Sequence, residues 1–328
     1  MQQKIRQYRN SFFLFMAAFI WGIAFVAQSV GMDYMGPFTF NGARCLIGGT
    51  VLLPLIAFRA RQKAYTGSPM ENGRTDTMTD EDGQQNPAEG ARSRRGGWKI
   101  TLAGGVCCGL AICAASSFQQ IGIQYTTVGK AGFLTTLYIV IVPLMGLFLG
   151  KKVRRIIWLG AVLAAAGMYL LCVNETFTLN RGDILVFVCA VLFSIHILVI
   201  DYFSPRTDGV ILSCIQFYVA GSICMFIAFL TETPTLEGML NGIVPLLYAG
   251  VMSCGVGYTL QIVGQKGTDP TVASLILSLE SVISVLAGWV LLGQTMSLKE
   301  LAGCALVFAA VILVQLPEKK RAGASQAG

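Results

Sequence analysis

Residues 131–150 read AGFLTTLYIVIVPLMGLFLG, and residues 274–293 read SLILSLESVISVLAGWVLLG. The first stretch contains no Asp, Glu, Lys or Arg, and the second contains only Glu280. Both are continuous apolar runs, not alternations of apolar and polar residues, so they read as helices. A bilayer core of about 30 Å takes about 20 helical residues, and only helices or closed barrels satisfy their backbone groups inside it. Each stretch therefore has the length of one membrane crossing.

The same pattern extends in both directions along the 328 residues, of which 54% are hydrophobic and 12% charged, with a mean hydropathy of +0.65. A soluble domain carries about 25% charged residues. The spacing predicts ten spans, at 11–31, 37–58, 99–120, 128–149, 156–173, 182–202, 209–230, 242–263, 270–292 and 297–316. Lys4, Arg6 and Arg9 precede the first span, a pattern that also suits a secretory leader. Phe25 nevertheless stands where a cleavage site needs a small residue before Ala27, so this span reads as a retained helix.

Lys and Arg set the orientation. With the N-terminus inside, the inner side collects twenty of them and the outer side only Arg181 and Lys299, leaving Arg44 and Lys130 in or near the membrane. Residues 1–10 and 317–328 are then cytoplasmic tails of a multi-pass protein of the cytoplasmic membrane. The formal charge of +7 follows from this asymmetry and gives no reason to expect a nucleic-acid partner. Residues 59–97, rich in Gly, Ser, Asn, Gln and mixed charge, have almost nothing apolar to bury and read as a disordered cytoplasmic loop, a tether first and a regulatory or lipid-touching segment second.

The ten cysteines all fall in apolar segments without a C-x-x-C pair, so they read as small buried hydrophobes; neither a disulfide framework nor a metal site is expected. No cofactor motif is present in the sequence, and no catalytic residues are assigned.

A shift of 143 residues pairs Leu134 with Leu277, Leu149-Gly150 with Leu292-Gly293, and Gly160 and Leu163 with Gly303 and Leu306. The second half thus echoes the first. Five helices per half, an odd number, reverse the second copy, so 11–173 and 182–316 are expected to be inverted repeats, an architecture of many secondary transporters. The fold class expected is an all-α integral membrane protein with ten transmembrane helices in two inverted five-helix repeats.

The stretches AAFIWGIAFVAQSVG (17–31), FTFNGARCLIGGTVLLPL (38–55), QYTTVGKAGFLTTLYIVIVPLMGLFLGKKVRRIIWLGAVLAAAGMYLL (124–171) and GTDPTVASLILSLESVISVLAGWVLLGQTMSLKELAGCALVFAAVILVQL (267–316) together resemble the EamA family of the drug/metabolite transporter superfamily. The resemblance implies a ten-helix permease that moves amino acids or other small metabolites, often outward. Two positions depart from the family pattern: Glu280 is followed by Ser281 where the family often has proline, and Gln294 stands where a Glu is common. A helix without that proline keeps one more backbone bond and bends less readily.

Ionisable groups inside a membrane are expensive and are functional candidates by default. Glu280 stands ten residues beyond Pro270, about 15 Å along its helix, near the midplane. A low-dielectric setting penalises its charged form, which makes it a candidate for exchanging a coupling proton or for binding a substrate ammonium. The alternative is a structural carboxylate paired with Arg44 or capped by Ser278. Arg44 matches an arginine that the resembled family often shows in this helix, and it reads first as an ion-pairing or snorkelling residue. Lys130 reads as an interfacial anchor.

His196 is the single histidine. An offset of 172 lays its helix on the first one, with Phe193 over Trp21 and His196 over Ala24. A pathway position and a hydrogen-bonded helix contact are both open for it. Trp21, Gln28, Gln120, Thr135, Tyr138, Gln261, Ser278 and Ser281 add polar or aromatic edges suited to a small amphipathic substrate, and the family resemblance favours Trp21, Tyr138 and Glu280 as pathway residues. Gln and Ser also serve as interhelical glue.

These features point to a secondary transporter and not an enzyme, with a small-molecule substrate and membrane lipid as partners and protons as a candidate coupling ion. The rivals are an acyl or prenyl transferase, which needs clustered acids or histidines that the sequence does not present, and a channel or sensor using 59–97 as its output. Small residues at 160–167 offer a face for packing within the bundle or between the subunits of a homodimer.

Overall fold

A computed structural model describes residues 2–66, 87–126, 128–150, 154–172, 180–292 and 297–315, and these are helical apart from short turns, with no strand among them. Among the described residues, eight helical stretches are long and apolar enough to cross a membrane: Ile5–Gly31, Pro37–Gln62, Gly97–Ile123, Ala131–Phe148, Arg181–Arg206, Gly209–Thr231, Ile243–Gln265 and Pro270–Leu291. Arg155–Gly167 and Leu301–Leu313 are shorter apolar helices at two further expected positions.

In chain order, α1 is Gln2–Gly31, α2 Pro37–Thr66, α3 Pro87–Ile123, α4 Val128–Thr136, α5 Tyr138–Phe148, α6 Arg155–Cys172 and α7 Arg181–Phe203. Then come α8 Gly209–Thr231, α9 Leu236–Asn241, α10 Ile243–Leu247, a π-helical segment Tyr248–Tyr258, α11 Thr259–Gln265, α12 Pro270–Leu277, α13 Leu279–Leu292 and α14 Leu298–Gln315. The expected disordered loop 59–97 is helical at both ends, because α2 runs on to Thr66 through helix-forming Ala, Arg, Gln and Lys, and α3 already begins at Pro87. Residues 67–86 of that loop lie outside the described residues, as do the expected tail 317–328 and residue 316 before it.

Helix ends are fixed by local chemistry. Asn180 and Asp183 form a reciprocal capping box on α7, and Thr126 Oγ1 donates to Asp183 Oδ1 at 2.5 Å, which ties the turn after α3 to the start of α7. At α2 the cap comes from another helix: Glu232, just past α8, accepts from the backbone N–H groups of Phe38 and Thr39 at 2.8 Å each and from Thr39 Oγ1 at 2.6 Å. A carboxylate at a helix N-terminus also meets the positive end of the macrodipole.

The packing follows a pattern of exchange. α1 packs on α12 and α13 as α7 packs on α4 and α5; α3 packs on α7 as the 243–265 stretch packs on α1; α2 packs on the π-helical segment as α8 packs on α3. α2 with α8, and α6 with α14, are further large contacts. Glycines set the closest of these crossings: a Cβ on Gly22 would lie 2.6 Å from Ile283 Cβ and 2.8 Å from the Glu280 carbonyl oxygen.

Two expected spans are interrupted at points that fall within two residues of each other on the 143-residue shift. Leu137, between α4 and α5, has φ −57° and ψ −12°, and Ser278, between α12 and α13, has φ −60° and ψ −14°. A ψ so far from the α-helical value of about −42° tightens the turn toward i→i−3 bonding. Val140 N–H accordingly donates to Leu137 O at 2.9 Å, and Ser281 N–H to Ser278 O at 3.2 Å. Hydroxyls reinforce both turns. Thr136 Oγ1 donates to the carbonyls of Gly132 and Phe133, while Ser274, Ser278, Ser281 and Ser284 each donate to the carbonyl three residues back at 2.7–2.8 Å. Such back-bonding bends helices. The second span is therefore interrupted even though proline is absent after Glu280.

Candidate functional site

The residues that begin the second parts of the two interrupted spans meet at the centre. Tyr138 is the first residue of α5 and Glu280 the second of α13, and Tyr138 Oη donates to Glu280 Oε1 at 2.8 Å. Both side chains are buried. They line a cavity whose other walls are Trp21, Phe25 and Gln28 of α1, Arg44 of α2, Gln119 of α3, Thr135 of α4, Phe193 and Ile197 of α7, Ser253 and Tyr258 of the π-helical segment, Gln261 of α11 and Leu277 of α12.

The cavity wall carries one basic and one acidic side chain. Arg44 is 3% exposed and Glu280 4%, and among the described residues no ion pair joins them. Glu280 takes its hydrogen bond from Tyr138 in place of the expected Arg44 or Ser278, whose hydroxyl is turned back to Leu275 O. The Arg44 guanidinium lies 5.7 Å from the centroid of the Phe40 ring, and its buried Nε has no hydrogen-bond partner. Guanidinium groups bind carboxylates in a planar fork, and a carboxylate accepts from ammonium, so these two groups can orient a ligand of mixed charge.

An aromatic wall closes one side. The Tyr258 ring lies 4.4 Å from that of Trp21, centroid to centroid, tilted by 52°, and Phe217 and His196 meet it edgewise at 5.7 and 6.0 Å. The Trp21 indole N–H donates to Ser253 O at 3.3 Å. π-Helical turns are rare and concentrate at functional sites. Here the turn presents Ser253 and Tyr258 to the cavity, and Gly257 leaves room for the indole, since a Cβ there would lie 2.8 Å from Trp21 Nε1.

Of the residues expected from the sequence, Trp21, Gln28, Thr135, Tyr138, Gln261 and Glu280 line the cavity, and Arg44 joins them. His196 does not. It sits against Phe193 and Tyr258 with Nε2 3.2 Å from Gln216 Oε1, in the position of a helix-contact histidine. Ser278 and Ser281 bond to their own helix, and Gln120 donates to Gln28 O at 3.0 Å. Lys130 lies in α4, but its side chain is outside the described residues.

Phe25, Gln119, Ser253 and Tyr258 are lining residues that the sequence does not single out. Gln119 lies one residue, and hence about 100° of helix, from Gln120, and donates to Thr135 Oγ1 at 3.3 Å. Phe193 stands out in the sequence only through its match to Trp21, and both line the cavity.

The chain matches the EamA-like transporter family over residues 10–73, 83–173 and 180–316. It belongs to that family. This EamA-like protein is 28% identical over 305 residues to an uncharacterized transporter of Archaeoglobus fulgidus, covering 92% of this chain and 84% of the relative. It is 23% identical over 316 residues to a WAT1-related chloroplastic protein of Arabidopsis thaliana, covering 92% and 68% respectively. An uncharacterized transporter of Clostridium kluyveri is 23% identical over 223 residues, 65% of this chain and 72% of that one. A solved crystal structure shares the fold at a TM-score of 0.69 and 18% identity, over 93% of this EamA-like chain and 96% of its own. The EamA-like protein is thus a multi-pass membrane protein of a transporter family.

Proposed function

We propose that the protein is a secondary transporter that carries a small, amino-acid-like metabolite outward across the cytoplasmic membrane by alternating access. The observation that carries this reading is the buried cavity in which Arg44 and Glu280 stand without an ion pair between them, framed by Trp21 and Tyr258. Arg44 takes the substrate carboxylate, Glu280 takes the ammonium, and the aromatic wall takes the apolar remainder. Glu280 also carries the coupling proton, exchanging Tyr138 for the substrate as its partner.

The architecture in this reading is ten spans in two inverted five-helix repeats, 11–173 and 182–316, with both termini cytoplasmic. Three observations support it. The contacts between helices repeat when the halves are exchanged, the interruptions at Leu137 and Ser278 fall within two residues of each other on the 143-residue shift, and one of the two breaks in the family match falls between residues 173 and 180. Interrupted helices at a repeat interface are the usual site of substrate and coupling-ion binding in such folds, and rocking of one half against the other opens that site to each side in turn.

The experiment is counterflow in proteoliposomes, offering labelled amino acids and related small zwitterions one at a time. Saturable exchange that is lost in Glu280→Gln while the variant still folds supports the reading; exchange unchanged in that variant removes Glu280 from the mechanism.

A further inference from the structure

Two thiol pairs sit at exchange-related crossings of the first and second halves. α3 and α8 approach through small residues: a Cβ on Gly109 would lie 2.7 Å from Val219 Cβ and 3.0 Å from the Gln216 carbonyl oxygen. One turn further along, this close approach brings Cys113 Sγ to 3.5 Å from Cys224 Sγ, with Ser117 Oγ 3.6 Å from Cys224 Sγ. At the exchanged crossing, α2 against the π-helical segment, Cys45 and Cys254 are both buried, and a Cβ on Gly48 would lie 2.5 Å from Cys254 Cβ. None of the four lines the cavity.

We propose that Cys113 and Cys224 form an oxidisable thiol pair that closes to a disulfide and staples α3 to α8 across the two halves. A disulfide needs its sulfurs at about 2.05 Å, so the contact has to shorten by about 1.5 Å, a movement within reach of side-chain rotation at a crossing this tight. The oxidant is a small uncharged peroxide. The Cys224 thiol, in contact with Ser117, gives up its proton as its sulfur attacks one peroxide oxygen; the O–O bond breaks, the leaving hydroxide takes that proton as water, and Cys224 becomes the sulfenic acid. The Cys113 sulfur then attacks Cys224 Sγ, the S–O bond breaks, and the departing hydroxide takes the thiol proton as water. In sum two thiols and one hydrogen peroxide give one disulfide and two waters. If the two halves rock past each other, as the proposed function requires, this link arrests transport until it is reduced.

The test uses the full chain in proteoliposomes, treated with hydrogen peroxide, blocked with N-ethylmaleimide, digested and read by mass spectrometry. The expected result is a linked peptide pair containing Cys113 and Cys224 that disappears on dithiothreitol and is absent from Cys224→Ser and from Cys113→Ala. Transport should fall at least severalfold in step with linking and recover on reduction, while both variants transport normally and resist peroxide. Recovery of Cys113 and Cys224 as separate maleimide adducts after peroxide overturns the pair. A linked pair with undiminished transport overturns the arrest. The linked peptide needs no transport to be seen, so it decides the thiol chemistry even if the transport reading itself fails.

Discussion

Tyr138 and Glu280, 142 residues apart in the chain, meet in a 2.8 Å hydrogen bond at the two points where a membrane span is interrupted. Each side chain stands on the first turn after its interruption, so the bond joins the two halves at the cavity wall. An intramolecular hydrogen bond contributes about 0.5–1.5 kcal/mol net. Tyr138→Phe is therefore expected to leave a folded protein whose transport falls by up to about tenfold, measured by counterflow against the wild type.

The interruption at Ser278 is held by serine back-bonding without the proline that resembling proteins often place after the glutamate. Ser281→Pro removes one backbone donor, whose present bond to Ser278 O is 3.2 Å long, near the start of α13 where proline is tolerated. Melting within about 2 °C of wild type and retained transport are expected for a change of under about 0.5 kcal/mol; ill-folded protein would show that the serines do more than bend the span.

Glu232 serves α2 as a cap from outside the helix. Replacing such a cap by alanine costs about 1–2 kcal/mol. Glu232→Ala is expected to lower the melting temperature by several degrees, and Glu232→Gln, which keeps one acceptor oxygen, by about half as much. Thermal unfolding in detergent of the two variants side by side checks this, and neither should change substrate preference.

Gly22 holds α1 against the turn that carries Glu280. In Gly22→Ala the new methyl meets Ile283 Cβ and the Glu280 carbonyl inside contact distance, so overpacking of about 1–3 kcal/mol and displacement of Glu280 are expected. The control is Gly255→Ala, where the nearest atom is 3.6 Å away and little change should follow. Melting and transport measured together separate the two.

The spans are legible in the sequence because uncharged hydrophobic runs of membrane length rarely occur in water-soluble chains. Glu280 and Tyr138 are legible because a charge or a phenol in such a run stands out. Their partnership is not, since the sequence also offers Arg44 and Ser278 as partners and only the packing of α4 and α5 on α13 and α12 selects Tyr138. Arg44 reads as an ion-pairing residue for the same reason; the pairing depends on distances between helices that no spacing encodes. His196 and Gln120 are on suitable helices but are not among the residues that line the cavity, and each step of one residue turns a side chain by about 100°. The π-helical segment leaves only a cluster of glycines, Gly250, Gly255 and Gly257, which reads equally well as ordinary close packing, so nothing marks Ser253 and Tyr258. Hydroxyl back-bonding divides α12 from α13 with residues that also occur in straight helices, and it is invisible for that reason.

Whether Arg44 and Glu280 together bind a small zwitterion is decided by a thermal-shift screen of the purified protein with amino acids and their analogues. Ligand binding to the folded state alone raises the melting temperature by mass action, and a ligand at one hundred times its dissociation constant adds about 2.7 kcal/mol. The expected result is a zwitterion whose stabilisation is lost in both Arg44→Gln and Glu280→Gln, with the esterified analogue lacking the carboxylate and the deaminated analogue lacking the ammonium both failing on the wild type. A ligand that stabilises the wild type and both variants equally would contradict two-point binding by this pair.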